Sequence, residues 1–109
     1  MFLRRCHQFA IALWDRRRQR LLLVRDRPGI LPLYFARGSK GYFFASEIKA
    51  LLEELPEKAR THAATIEEIF TFWGPLGPDT PFAGVTSVLP GEMVSIERGV
   101  TRRWRWWDW

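Results

Sequence analysis

The sequence predicts an α+β domain built mainly from antiparallel strands with two short helices. Three observations carry that expectation. Short apolar runs rich in Ile, Leu, Val and aromatic residues alternate with turn signals, as strands joined by hairpins do. Two segments instead repeat apolar residues at helical spacing. Short turns at Asp15–Arg20, Gly38–Gly41 and Arg98-Gly99 join successive runs as hairpins.

Phe9–Trp14 comes first, with Phe, Ile and Leu on one face and Ala, Ala and Trp on the other. Both faces are apolar, which predicts a strand covered on both sides. Asp15-Arg16-Arg17-Arg18-Gln19-Arg20 is a polar, solvated turn, and Leu21–Val24 is the returning strand. In Arg25-Asp26-Arg27-Pro28-Gly29-Ile30, Pro28 fixes φ and Gly29 permits a positive φ, so the chain reverses sharply. Leu33–Arg37 and Tyr42–Ala45 form a hairpin around Gly38-Ser39-Lys40-Gly41. Ser46 is placed to cap a helix and Glu47 to sit in its first turn, where the dipole favours an acid.

That helix carries Ile48, Leu51, Leu52 and Leu55 as one apolar stripe, ended by Pro56. Thr65 and Glu68 have capping-box spacing for a second helix, whose stripe is Ile66, Ile69, Phe70 and Trp73 and whose stop is Gly74-Pro75. A Gly/Pro-rich loop runs from Gly74 to Pro81. Val94–Glu97 and Val100–Trp106 then pair around Arg98-Gly99. The total is about six strands. Two helices cover one face of such a sheet and leave the other to an absent partner.

With 109 residues, 47% of them hydrophobic, the chain holds one small domain with enough apolar content for a core. It lacks the run of about eighteen apolar residues needed for a membrane-spanning helix, and its start lacks a signal-peptide pattern. One cysteine, Cys6, permits no internal disulfide and suits a cytoplasmic setting. His7 and His62 are too isolated to suggest a metal site. The net charge of +5 comes largely from arginine and speaks to partners rather than fold.

Four ordered motifs carry a family resemblance. They are Phe9-Ala10-Ile11-Ala12-Leu13-Trp14-Asp15; Arg25-Asp26-Arg27 with Gly29, Pro32, Leu33 and Tyr34; Phe44-Ala45-Ser46-Glu47-Ile48-Lys49-Ala50-Leu51; and Phe82-Ala83-Gly84-Val85 with Leu89-Pro90-Gly91, closing on Arg105-Trp106-Trp107-Asp108. Together these resemble the second half of the class II glutamine amidotransferase (glutaminase) domain of glutamine-dependent asparagine synthetases. The resemblance covers roughly Phe9 to Asp108, and residues 1–109 are read as the C-terminal part of that domain.

The resemblance implies a fold, an activity and a set of absences. The fold would be part of the four-layer αββα sandwich of N-terminal-nucleophile hydrolases. The parent enzyme would hydrolyse glutamine and pass ammonia to an ATP-dependent amidation of aspartate or a similar carboxylate. The family's nucleophile is a cysteine exposed at the chain terminus, where its own α-amino group serves as base. Phe2 follows Met1 here and Cys6 lies inside the chain, so Cys6 is read as a partly buried structural thiol.

The family's glutamine-holding residues belong to its first half, so neither a catalytic nor a substrate-binding residue is assigned to this chain. No phosphate-cradling glycine loop is present, and the resemblance places ATP and Mg in a synthetase domain beyond these residues. It also implies that Gln8 and Ile30 occupy ammonia-channel positions, although Gln8 stands where an apolar residue is usual. Arg25, Asp26, Gly29, Pro32, Tyr34, Ser46 and Glu47 are structural motif residues, with Asp26 expected to form an ion pair between two arginines.

The expected partner is the missing half of the domain or a second copy of the chain, most simply as a homodimer. A different class of function is a small basic nucleic-acid-binding module, with arginines for phosphate and tryptophans for stacking. Only the Trp104–Trp109 tail has that pattern.

Overall fold

The computed structural model describes residues 8–38, 41–53, 55, 63–72 and 77–106. Expectations for Cys6, His7, the Ser39-Lys40 turn, Pro56, His62, Trp73, the Gly74-Pro75 stop and Trp107 to Trp109 lie outside these residues. Among the described residues there are seven strands and two helices. In chain order they are β1 (Ala10–Asp15), β2 (Arg20–Arg25), β3 (Tyr34–Gly38), β4 (Gly41–Ala45), α1 (Ile48–Leu52), α2 (Ala63–Phe72), β5 (Val85–Ser87), β6 (Glu92–Glu97) and β7 (Val100–Arg105). The α+β class and the antiparallel pairing are as the sequence predicts.

The chain divides into two compact units, residues 1–32 with 88–109, and residues 33–87. The first holds a four-stranded sheet in the order β1-β2-β6-β7. Its core lies where Leu21 pairs with Ile96 and Leu23 with Val94. All four side chains are buried, Leu23 and Val94 completely. Two hairpins close the sheet at one end. Asp15 accepts hydrogen bonds from the backbone amides of Arg17 and Arg18 and so shapes the β1–β2 turn. The β6–β7 turn is Arg98-Gly99, as expected. Both residues have positive φ, 51° and 76°, the type I′ signature whose twist matches its strands.

Burial corrects the expectation for β1. Leu13 and Trp14 are 56% and 57% exposed, and among the described residues β1 is an edge strand that pairs only with β2. The apolar alternation of Phe9–Trp14 therefore does not translate into cover on both sides. In β2, by contrast, Leu21, Leu23 and Val24 are all buried.

The second unit holds a three-stranded sheet in the order β4-β3-β5. Gly38 pairs with Gly41, so the hairpin is tighter than the Leu33–Arg37 and Tyr42–Ala45 strands implied. The core here is Ala36, Leu51 and Val85, with Tyr34, Phe43, Ile48, Leu52 and Phe82 packed around it. Phe44 is exposed, since its strand β4 is again an edge and alternate residues face away from the core.

Three-residue β5 was not legible in the sequence. It is held in place by Ser87 N donating to Pro78 O at 2.7 Å and by an Asp79–Thr86 bridge. Buried Thr80 organises the preceding loop, its hydroxyl bonding Val85 O at 2.8 Å while Phe82 N donates to it at 3.2 Å.

The helices depart from their expected caps. The N-cap of α1 is Glu47, with extended φ of −128° and ψ of 134° and no side-chain cap bond. Ser46 thus lies one residue too early to cap, and Glu47 stands outside the first turn. Helix α1 ends at Leu52, and Leu55 reaches the same core from beyond it. Helix α2 includes Ala63 and Ala64, both strong helix formers, so buried Thr65 is an interior residue rather than the cap. Phe70, expected on the apolar stripe, is 83% exposed. Thr65 occupies the buried line, and Phe70, five residues on, is rotated about 140° from it.

Candidate functional site

Arg25, Asp26, Gly29 and Pro32 lie together at and beyond the end of the four-stranded sheet opposite the Arg98-Gly99 turn. Phe9 enters β1 there, and Arg25 leaves β2. The side chain of Arg25 is spent on backbone oxygens, with Nε on Leu31 O at 3.0 Å, Nη1 on Val88 O at 2.7 Å and Nη2 on Gly29 O at 2.6 Å. Three charge-assisted bonds from one planar fork fix the Pro28–Pro32 loop against the start of the β5–β6 connection. Gly29 has φ of +65°, and a Cβ added to it would lie 2.4 Å from Pro90 Cγ. The glycine is therefore required both by its backbone conformation and by the proline ring beside it.

Asp26 is fully buried and is the hub of the same end. Its amide donates to Phe9 O at 3.0 Å, and its own carbonyl accepts from Gly91 N at 2.7 Å. Phe9 N approaches Asp26 Oδ2 at 3.3 Å, while Oδ1 has no hydrogen-bond partner. Among the described residues this replaces the expected ion pair. Arg25 is turned toward carbonyls, and the Asp26 carboxylate holds the strand entry through a backbone amide.

Trp106 completes the arrangement. Its indole Nε1 donates to Arg25 O at 3.1 Å, its amide donates to Gly91 O at 3.0 Å, and its ring stacks on Phe9 with centroids 5.8 Å apart. The Arg27 guanidinium lies over the same Trp106 ring, 5.9 Å from its centroid.

Gln8 and Ile30, the two positions that the resemblance implies for a channel, flank this hub in the chain. Gln8 precedes Phe9 and is exposed, and Ile30 follows Gly29 and is 57% exposed. Ile30 is thus not an ordinary core isoleucine. Leu31 beside it is 44% exposed, so the rigidly held loop presents two apolar side chains outward. Pro32 ends the loop. The remaining motif residues belong to the three-stranded unit: Tyr34 packs against its core, and Ser46 and Glu47 lead into α1.

One partly buried pair escaped the sequence reading. Glu92 receives Arg103 through both oxygens, at 2.7 and 2.8 Å, and accepts Leu89 N at 2.6 Å. An acid at a strand start just after Pro-Gly, with arginines on the partner strand, was the available signal. Among the described residues no group of three or more His, Cys, Asp or Glu side chains could hold a metal ion, and no helix is long and apolar enough to cross a membrane.

The sequence of the chain has recognisable relatives. The family model described as a glutamine amidotransferase domain matches residues 2–107, and the chain belongs to that family. Within it the similarity is to asparagine synthetases. The glutamine-hydrolyzing asparagine synthetase 3 of Bacillus subtilis is 33% identical over 101 residues, 92% of this chain and 16% of that protein. The glutamine-hydrolyzing asparagine synthetase 2 of the same organism is 49% identical over 43 residues, 39% of this chain and 6% of its own length. Amidase chyE of Penicillium rubens is 32% identical over 108 residues, 93% of this chain and 15% of that protein. The chain therefore spans less than one fifth of each of these relatives. They lend no support to the nucleic-acid-binding alternative.

Proposed function

We propose that this chain serves as the C-terminal part of a glutaminase domain in an asparagine-synthetase-like amidotransferase. The observation that carries the reading is the family match across residues 2–107, in a chain that folds as two small antiparallel sheets. In this reading the two sheets are portions of an αββα sandwich of the N-terminal-nucleophile type. The parent enzyme hydrolyses glutamine and delivers ammonia to an ATP-dependent amidation of aspartate or a similar carboxylate. ATP and Mg are bound by a synthetase domain outside these residues.

The chain's own share is structural and conductive rather than catalytic. Arg25 and Asp26 hold the Pro28–Pro32 loop in place, and Gln8 and Ile30 sit at its margin as channel-wall candidates. Exposed Leu13 and Trp14 on edge strand β1 are covered by the rest of the domain or by a second copy of the chain. The work of the whole enzyme is assigned to the cytoplasm.

Glutamate release from glutamine by the purified chain, with Cys6→Ala as control, tests this division of labour. The reading expects release at the blank rate. Release above blank that disappears in Cys6→Ala overturns it.

A further inference from the structure

We propose that the turn end of the four-stranded sheet is a binding site for a small phosphorylated anion, with four arginines gripping the phosphate and Trp104 receiving a planar group. The site is independent of the glutaminase reading. Strand register puts its residues on one face. Arg20 pairs with Glu97, which pairs with Val100, and in the next tier Ser95 pairs with Arg102. Trp104, two residues past Arg102, faces the same way. The β1–β2 turn adds Arg18 and the β6–β7 turn adds Arg98. Together these side chains line a cleft of about 370 Å³, a size suited to a small molecule.

Charge in the cleft is unbalanced. Four guanidinium groups face the single carboxylate of Glu97, which lies 3.7 Å from Arg18 with both side chains partly in water. Such an exposed pair is weak. Arg20 is the most demanding of the four. Its Nη2 reaches Asp15 only at 4.0 Å, and its Nε is buried without a hydrogen-bond partner among the described residues. The Arg20 side chain as a whole is 25% exposed, so its guanidinium is open to an acceptor in the cleft.

Phosphate suits the demand better than a lone carboxylate. It offers three oxygens and close to two negative charges, and guanidinium forks match its geometry in bidentate fashion. Trp104 is 42% exposed, leaving ring surface for stacking beside the arginines. A merely solvated basic face would scatter its arginines over the surface. Here two turns and two strands direct them into one cleft.

Isothermal titration of the full chain with inorganic phosphate, ribose 5-phosphate and adenosine 5′-monophosphate tests the proposal, with adenosine as the uncharged control. The expected result is saturable binding of the three phosphates, strongest for the nucleotide, and none of adenosine. Arg102→Gln, on an exposed position of edge strand β7, should weaken each phosphate by about tenfold. Trp104→Leu should weaken the nucleotide and leave ribose 5-phosphate unchanged. Circular dichroism establishes that both variants are folded, and Arg18→Gln repeats the charge test should Arg102→Gln fail to fold. Absence of saturable phosphate binding at millimolar concentrations overturns the proposal. So does phosphate binding that neither arginine substitution weakens, or an oligoglutamate peptide that binds this cleft more tightly than the nucleotide.

Discussion

Replacing Gly29 by alanine separates two costs that the structure assigns to one position. The residue has φ of +65°, where an L side chain meets its own backbone at about 1–2 kcal/mol. The new Cβ would also stand 2.4 Å from Pro90 Cγ and 2.8 Å from Pro90 Cβ, inside any normal contact. Overpacking of that kind typically costs about 1–3 kcal/mol as the neighbours shift. The sum is about 2–5 kcal/mol, a large part of the roughly 5–15 kcal/mol that holds a small domain together. Gly84 and Gly99 are the controls. They have φ of +85° and +76°, and an added Cβ meets nothing within 4 Å. Their alanine variants should therefore lose about 1–2 kcal/mol only.

Urea unfolding followed by tryptophan fluorescence reads the three midpoints on one scale, provided the slopes agree. Pro90→Ala in the Gly29→Ala background should recover part of the loss, because it removes the nearest ring carbon. Equal midpoints for all three glycine variants would refute the packing of the Pro28–Pro32 loop on Pro90.

Other perturbations probe separate parts of the structure. Leu51→Ala should cost about 2–5 kcal/mol by leaving a cavity in the three-stranded unit, whereas Arg17→Ala, on a solvated turn, should stay within about 0.5 kcal/mol. Urea midpoints in the reverse order would contradict the core assignment. Glu92→Ala removes the acceptor of two Arg103 bonds and of the Leu89 amide and should cost about 1–3 kcal/mol, against about 0–1 for Glu97→Ala; equal midpoints would argue against the Glu92 network. Sedimentation equilibrium should show self-association that Trp14→Lys weakens, since β1 offers an unpaired edge with exposed apolar side chains. A strictly monomeric protein across a concentration range of about 100-fold would remove the second copy from the account.

Much of the architecture was legible because it follows from local chemistry. The Arg98-Gly99 turn, the Gly38–Gly41 hairpin and the Pro28-Gly29 reversal each rest on residues whose backbone preferences leave few options. Less legible were features that depend on neighbours distant in sequence. Alternation in Phe9–Trp14 reads as a strand covered on both sides, and nothing within it says that it lies at a sheet edge. Val85-Thr86-Ser87 is too short to show a period and becomes a strand only by pairing with β3. Ser46 and Thr65 had the right chemistry for caps, but helix starts are set by backbone geometry at Glu47 and by the preceding alanines.

The candidate site divided in the same way. Gly29 was identifiable from its turn, whereas the partners of Arg25 and Asp26 were not, because Val88 and Gly91 come from a segment over sixty residues away. Alternation reads Trp106 as the end of the last strand, whereas it lies one residue past β7, and its stacking on Phe9 was not legible.

The central claim, that this chain is a working portion of a glutaminase domain, is tested most directly by exchange. The matching segment of the Bacillus subtilis glutamine-hydrolyzing asparagine synthetase 3 is replaced by this chain, and asparagine formation is measured with glutamine and, separately, with ammonia as nitrogen source. The account predicts that the chimaera uses both, and that Ile30→Asp within it depresses the glutamine-dependent rate far more than the ammonia-dependent one. A folded chimaera that makes asparagine from ammonia but never from glutamine would contradict it.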